Sequence, residues 1–146
     1  MTLDESTPTL RRPGLDARSA SRRHRTLPEN LAALLHAAHA DEQEAFGSQR
    51  RAAYLLTRQV ISALLRAGYP ARLLATELGV RSESIRTRAQ AGRTHLADIA
   101  ALSELDHDEL VRRCAAEGAV VDDDGCVASD DLVRILTAPS ATGETR

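Results

Sequence analysis

The stretch ARLLATELGVRSESIRTRAQAGR, residues 71–93, decides the fold that this sequence predicts. Its first half places Leu74, Ala75 and Leu78 at the spacing of one face of a short helix. Gly79 follows, and glycine reaches positive φ without a steric penalty, so we expect it to end that helix sharply. The first half of the stretch therefore predicts a short helix that stops at a corner.

The second half of the stretch predicts another helix after that corner. Val80 is apolar and fits the inside of the turn, and Ser82 is a good N-cap residue. A helix from Ser82 to about Gln90 then places Ile85 and Ala89 on its inner side. Two helices joined by a tight turn that contains glycine form a helix-turn-helix.

The phrase LATELGVRSESIRTRAQAGR, residues 74–93, resembles the recognition segments of bacterial DNA-binding helix-turn-helix proteins. Similar segments occur in repressors, transposon regulators and sigma-like proteins. The phrase departs from that family at Arg88, where the family usually places an apolar residue facing the core. The resemblance implies a mainly α-helical domain that docks its second helix in the major groove of DNA.

With Ile85 and Ala89 inward, the outer side of the second helix carries polar side chains. Arginine can donate two hydrogen bonds to guanine, glutamine can pair with adenine, and glutamate can accept from cytosine. Arginines beside such a helix are better placed for phosphates, which position a protein without reading sequence. The candidate DNA-binding residues are Ser82, Glu83, Ser84, Arg86, Thr87 and Gln90 for the groove, with Arg72, Arg81, Arg88 and Arg93 for phosphates.

Charge is segregated along the chain although the net charge is only −2. Residues 1–26 carry +3 and residues 27–46 carry −4. Residues 47–96 carry +7, and residues 97–146 carry −8. The basic block coincides with the helix-turn-helix pattern, as expected of a surface that faces phosphate.

The composition favours packed helices over a sheet sandwich. Apolar residues make up 42% of the 146 residues but aromatic residues only 2%, so Leu, Ala, Val and Ile must build the core. The fold class predicted is mainly α: a helical helix-turn-helix domain with a small C-terminal helix-hairpin-helix module.

Four segments are predicted. Residues 1–26 form a disordered basic arm, and residues 27–101 form the helical helix-turn-helix DNA-binding domain. Residues 102–138 form a small acidic module with a β-hairpin, and residues 139–146 form a disordered tail. The arm is expected to contact phosphates or a minor groove, or to serve only as a solubilising tail. Its arginines are Arg11, Arg12, Arg18, Arg22, Arg23 and Arg25.

Helices are also predicted outside the central stretch, over residues 28–46, 49–67, 93–101, 107–117 and 130–137. In the first of them Asp41, Glu42 and Glu44 are placed on the outer side. Ser129 is expected to cap the last helix. Two short apolar runs flank Asp124-Gly125, a strong turn signal, so they are expected to pair as a hairpin.

The sequence predicts a bacterial transcription regulator that binds double-stranded DNA specifically, as a homodimer, with a possible protein partner at its acidic C-terminal module. The alternatives are a sigma-like or anti-sigma-like adaptor that binds another protein, and an architectural factor that binds DNA with little sequence preference. No catalytic constellation or cofactor motif is present and no metal site is expected, so no enzyme is expected. With no signal-peptide pattern, no apolar run of membrane-spanning length and only Cys114 and Cys126, the expected location is the cytoplasm, on the nucleoid.

Overall fold

A computed structural model of the protein describes residues 26–138. Within that range the chain is mainly helical, with seven α-helices and little sheet. The helices are α1 Glu29–Glu44, α2 Gly47–Arg66, α3 Ala71–Leu78, α4 Ser82–Arg88, α5 Leu96–Ser103, α6 His107–Glu117 and α7 Leu132–Thr137. The strands are β1 Arg93–His95 and β2 Cys126–Ala128, and a 3₁₀ turn spans Ser129–Asp131. The predicted basic arm, except for its last residue, and the predicted C-terminal tail lie outside the described residues.

The two longest helices, α1 and α2, pack against each other and form the base of the fold. The core is aliphatic, as the composition predicts. Leu31 and Leu35 of α1, Ile61 of α2 and Leu74 of α3 have no exposed surface. The same apolar cluster reaches Leu136 of α7, so the segments predicted as 27–101 and 102–138 share one core.

Helices α3 and α4 pack closely and are joined by the turn at residues 79–81. Gly79 has φ +69° and ψ +35°, the left-handed conformation expected at the end of α3. The amide of Val80 donates to the carbonyl of Ala75 at 3.0 Å, which closes the corner. Ala75 and Ile85 are buried where the two helices meet, and Val80 is half-buried.

The second helix of the central stretch is shorter than the sequence predicts. It ends at Arg88 rather than near Gln90, because Ala89 is extended and the Gln90 amide donates to the Arg58 carbonyl on α2. The N-cap position belongs to Arg81, not Ser82, and no side-chain capping bond forms there. A tertiary hydrogen bond thus decides where this helix stops.

The predicted helix over residues 93–101 is wrong in its first turn. Arg93–His95 form strand β1, and the helix runs instead over Leu96–Ser103. The Thr94 side chain is buried and donates from Oγ1 to Oε1 of Gln59 on α2 at 2.9 Å. This buried hydrogen bond and the strand pairing hold the segment extended.

The predicted hairpin is also wrong, since β2 does not pair with residues 120–121. It pairs antiparallel with β1, with Thr94 opposite Val127. The turn at Asp124-Gly125 does form, but it only returns the chain toward β1, with the Asp122 amide donating to the Cys126 carbonyl at 3.0 Å. Sequence signals identified the turn correctly, but the partner strand lies some thirty residues away.

Ser129 does not cap the last helix as predicted. Its hydroxyl accepts a hydrogen bond from the Gly92 amide at 3.0 Å, and its own amide donates to the Gly92 carbonyl at 2.8 Å. These two bonds extend the link between the β1 and β2 segments by one residue pair. The 3₁₀ turn at Ser129–Asp131 then leads into α7.

Among residues 26–138, no helix combines the length and the apolar character that crossing a membrane requires.

Candidate nucleic-acid interface

The outer side of α4 is exposed, as the sequence predicts. Glu83, Arg86 and Thr87 all face solvent, while Ser82 and Ser84 are half-buried. The Thr87 hydroxyl donates to the Glu83 carbonyl within the helix, which fixes the threonine methyl in one orientation. Because Glu83, Arg86 and Thr87 are three and four residues apart, they lie on one face of the helix.

Arg72 and Arg81 flank this face and are also exposed. Arg72 lies in the first turn of α3, and Arg81 lies in the turn just before α4. Neither side chain forms an ion pair with another described residue, so both guanidinium groups face solvent. Their predicted contact with phosphate stays a prediction.

Arg88 does not lie on the exposed face, and its predicted contact with phosphate conflicts with its position. Its Nη2 donates to both carboxylate oxygens of Glu42 on α1, at 2.6 and 2.8 Å. The side chains are only 16% and 8% exposed, and the Arg88 guanidinium carbon lies 5.1 Å from the centre of the Tyr54 ring. Arg88 therefore faces α1 and α2 and not solvent.

The same contact corrects the predicted orientation of Glu42. The sequence places it on the outer side of α1 with Asp41 and Glu44, but Glu42 is buried between α1 and the end of α4. A buried carboxylate requires a partner, and Arg88 provides it. The pair fixes the last turn of α4 to α1.

Arg93, the last predicted phosphate contact, is held by the acidic turn that follows α6. Its Nε and Nη2 donate to Oδ2 of Asp122 at 3.2 and 3.0 Å, and Nη2 also donates to the Cys126 carbonyl. The pKa of Asp122 is lowered, first by the hydrogen bond from the Cys126 amide and also by Arg93. The charge of Arg93 is thus largely balanced within the chain.

Gln90 is exposed, but it lies beyond α4 and not on its outer face. Its side-chain Oε1 accepts a hydrogen bond from Nη1 of Arg58 on α2 at 3.0 Å. The guanidinium of Arg58 in turn lies 4.7 Å from the centre of the Tyr54 ring. Gln90 is therefore held against α2 by Arg58. The predicted contact with adenine from the outer face of α4 does not fit this position.

Ion pairing divides the twelve arginines of the described range into two groups of six. One group lies within 4 Å of a carboxylate: Arg66, Arg88, Arg93, Arg112, Arg113 and Arg134. The other group makes no ion pair with a described residue: Arg50, Arg51, Arg58, Arg72, Arg81 and Arg86. All six of this second group lie on α2, α3, α4 or the turn before α4. The arginines without ion pairs in the described range are thus divided equally between α2 and the helix-turn-helix segment α3–α4.

Sequence reasoning did not identify Tyr54, Arg58 and Glu42 as residues that position this surface. The spacing of Arg51, Leu55 and Arg58 indicates that these residues share one face of α2, because residues three, four and seven apart lie on the same side of a helix. The sequence therefore held a signal that could have identified Arg58. No sequence pattern links Glu42 to Arg88, since these two residues are 46 positions apart and lie on different helices.

In the described part of the chain, no three His, Cys, Asp or Glu side chains come together as a metal site. Cys114 and Cys126 are free and buried, and burial is the main cause that raises the pKa of each thiol. Comparison of the chain with protein-family models, curated proteins and solved structures gave no match.

Proposed function

We propose that the protein is a sequence-specific DNA-binding transcription regulator that uses α3, the turn at residues 79–81 and α4 as a helix-turn-helix. In this arrangement α4 lies in the major groove, and α3 crosses the sugar-phosphate backbone. The observation that carries the proposal is that every arginine of α3, the turn and the outer face of α4, namely Arg72, Arg81 and Arg86, is exposed and makes no ion pair with a described residue.

The exposed face of α4 has the chemistry to distinguish bases. Arg86 is free to donate two hydrogen bonds to N7 and O6 of guanine, and Glu83 is suited to accept from the amino group of cytosine. The Thr87 methyl suits contact with the thymine methyl group. Arg72 and Arg81 supply contacts to phosphate on either side.

The internal ion pairs support the assignment of roles within this surface. Arginines that lie away from the helix pair are paired with carboxylates. Arg66 pairs with Asp130, and Arg134 pairs with Asp131. The turn after α6 carries Asp122, Asp123 and Asp124, so it is unsuited to face phosphate. This division favours one DNA-facing side on the molecule.

The test is selection of bound sequences from random duplex DNA, followed by titrations of Arg86→Ala. A single guanine contact contributes about 1–3 kcal/mol of discrimination, so the variant should lose roughly 5- to 150-fold in preference at one base pair. Arg134→Ala is the matched control, because it removes the same side chain from an exposed ion pair on α7.

Three outcomes are decisive. A recovered consensus with loss of preference in Arg86→Ala alone supports the proposal. Binding that weakens with salt but shows no preferred sequence indicates an architectural binder instead. Absence of DNA binding by the wild-type protein at low salt contradicts both and favours an adaptor that binds protein.

A further inference from the structure

An open cleft of about 410 Å³ lies beside the end of α4, against the first half of α2. It is lined by Ser48, Arg51, Tyr54 and Arg58 of α2 and by Gln90, two residues beyond α4. Among residues 26–138, no acidic side chain lines it. The cleft is therefore basic, and it adjoins the surface assigned above to DNA.

The Arg58 side chain is held in place within the cleft. Its guanidinium packs on the Tyr54 ring and donates to the Gln90 oxygen. Because that oxygen accepts from Arg58, the amide nitrogen of Gln90 remains a donor. Two donor groups, one charged and one neutral, are thus fixed side by side before any ligand arrives.

Arg51 extends this donor set along α2. Ser48, Arg51 and Arg58 are separated by three and seven residues, so they share one face of the helix. The seven residues between Arg51 and Arg58 correspond to about 10.5 Å of helix rise. A row of phosphates along one strand can contact both arginines across that length.

We propose that this cleft binds the sugar-phosphate backbone of duplex DNA beside the groove that α4 enters. The inference rests on the proposed function and extends its interface from α3–α4 to α2. Arg51 and Arg58 contact successive phosphates of one strand, and the Gln90 amide and the Ser48 hydroxyl donate to phosphate oxygens. Gln90 thereby anchors the register of the protein on DNA and does not read a base.

The decisive variant is Arg51→Ala in the full-length chain, because Arg51 is exposed and makes no ion pair with a described residue. Affinity for the selected duplex and for a scrambled duplex is measured by fluorescence anisotropy over a series of salt concentrations. Loss of one phosphate contact should reduce the slope of log K against log salt by about 0.9. Both duplexes should lose affinity by the same factor.

Arg66→Ala is the matched control. It removes the same charge from the same helix, but Arg66 is exposed and paired with Asp130 away from the cleft. Its slope should equal that of the wild-type protein. Arg58→Ala should behave as Arg51→Ala does, and circular dichroism establishes that each variant is folded.

The outcomes separate this inference from the proposed function. If Arg51→Ala keeps the wild-type slope while Arg86→Ala loses base preference, the cleft assignment is wrong and the proposed function stands. If the wild-type protein binds no DNA, both are wrong. A third arm titrates inorganic phosphate at constant ionic strength. Saturable shifts of the Arg51 and Arg58 side-chain NMR signals, with an unchanged slope on DNA, would assign the cleft to a free anion and overturn the inference.

Discussion

The buried pair Glu42–Arg88 offers the sharpest test of how α4 is held. Nη2 of Arg88 lies 2.6 and 2.8 Å from the two carboxylate oxygens, and the side chains are 16% and 8% exposed. Arg88→Ala leaves the Glu42 carboxylate buried without its cation. Removal of one partner from such a pair costs about 3–5 kcal/mol of unfolding free energy.

The two single variants should differ. Glu42→Ala leaves the Arg88 guanidinium beside the Tyr54 ring, 5.1 Å from its centre. A cation–π contact of this kind contributes about 1 kcal/mol when it is partly shielded from water. We therefore expect Glu42→Ala to lose about 1 kcal/mol less than Arg88→Ala.

The double variant Glu42→Leu with Arg88→Leu should recover most of the loss. Replacing a buried ion pair by apolar side chains of similar volume is often neutral or stabilising. We expect its unfolding free energy to lie within about 1 kcal/mol of the wild-type value.

Urea denaturation followed by circular dichroism measures these free energies. Glu44→Ala is the control, since Glu44 is an exposed glutamate on the same helix, and its effect should stay within about 0.5 kcal/mol. A double-mutant coupling energy below about 0.5 kcal/mol would refute the reasoning. DNA binding by the stable double variant gives a second readout. Unchanged affinity fits an internal role for Arg88. A decrease of about one in the slope of log K against log salt would instead indicate that Arg88 contacts phosphate.

Two further predictions concern the corner before α4 and the acidic turn. Gly79→Ala should destabilise the protein by about 1–2 kcal/mol in urea denaturation, because φ at this position is +69°. No neighbouring atom lies within 4 Å of the added Cβ, so the loss comes from backbone strain and not from a steric clash. Gly79→Asn should cost less, since asparagine tolerates left-handed backbone better, and equal losses would contradict the backbone explanation. The pKa of Asp122 is lowered in the fold, so its stabilising contribution is complete above the usual aspartate pKa near 4 and is lost as pH falls through the folded value. Asp122→Asn should therefore be less stable than the wild-type protein at pH 6, because it lacks the ionised carboxylate. A difference in stability that fails to narrow below about pH 4 would argue against this linkage.

Much of the fold could be predicted from local sequence. The aliphatic spacing at Leu74, Ala75 and Ile85 and the glycine at 79 correctly identified two helices and the corner between them. Helical periodicity also identified α1, α2, α6 and α7 to within a few residues. These features depend on residues close in the chain, so the sequence states them directly.

The outer face of α4 was predicted by the same local logic. Once Ile85 is inward, the 3.6-residue period requires Glu83, Arg86 and Thr87 to face outward, and all three are exposed. Their role in binding DNA stays a prediction. The local pattern fixes which way these side chains point, but not what they contact.

Tertiary structure decided which polar groups are free. Arg88 and Arg86 are two residues apart and chemically identical, yet Glu42 binds one and the other faces solvent. The pairing of β1 with β2, and the hydrogen bond that Arg58 donates to Gln90, likewise join segments about thirty residues apart. Sequence periodicity assigns a residue to a side of its own helix. Only the packed chain determines which carboxylate, carbonyl or strand lies opposite, because that depends on how distant segments meet.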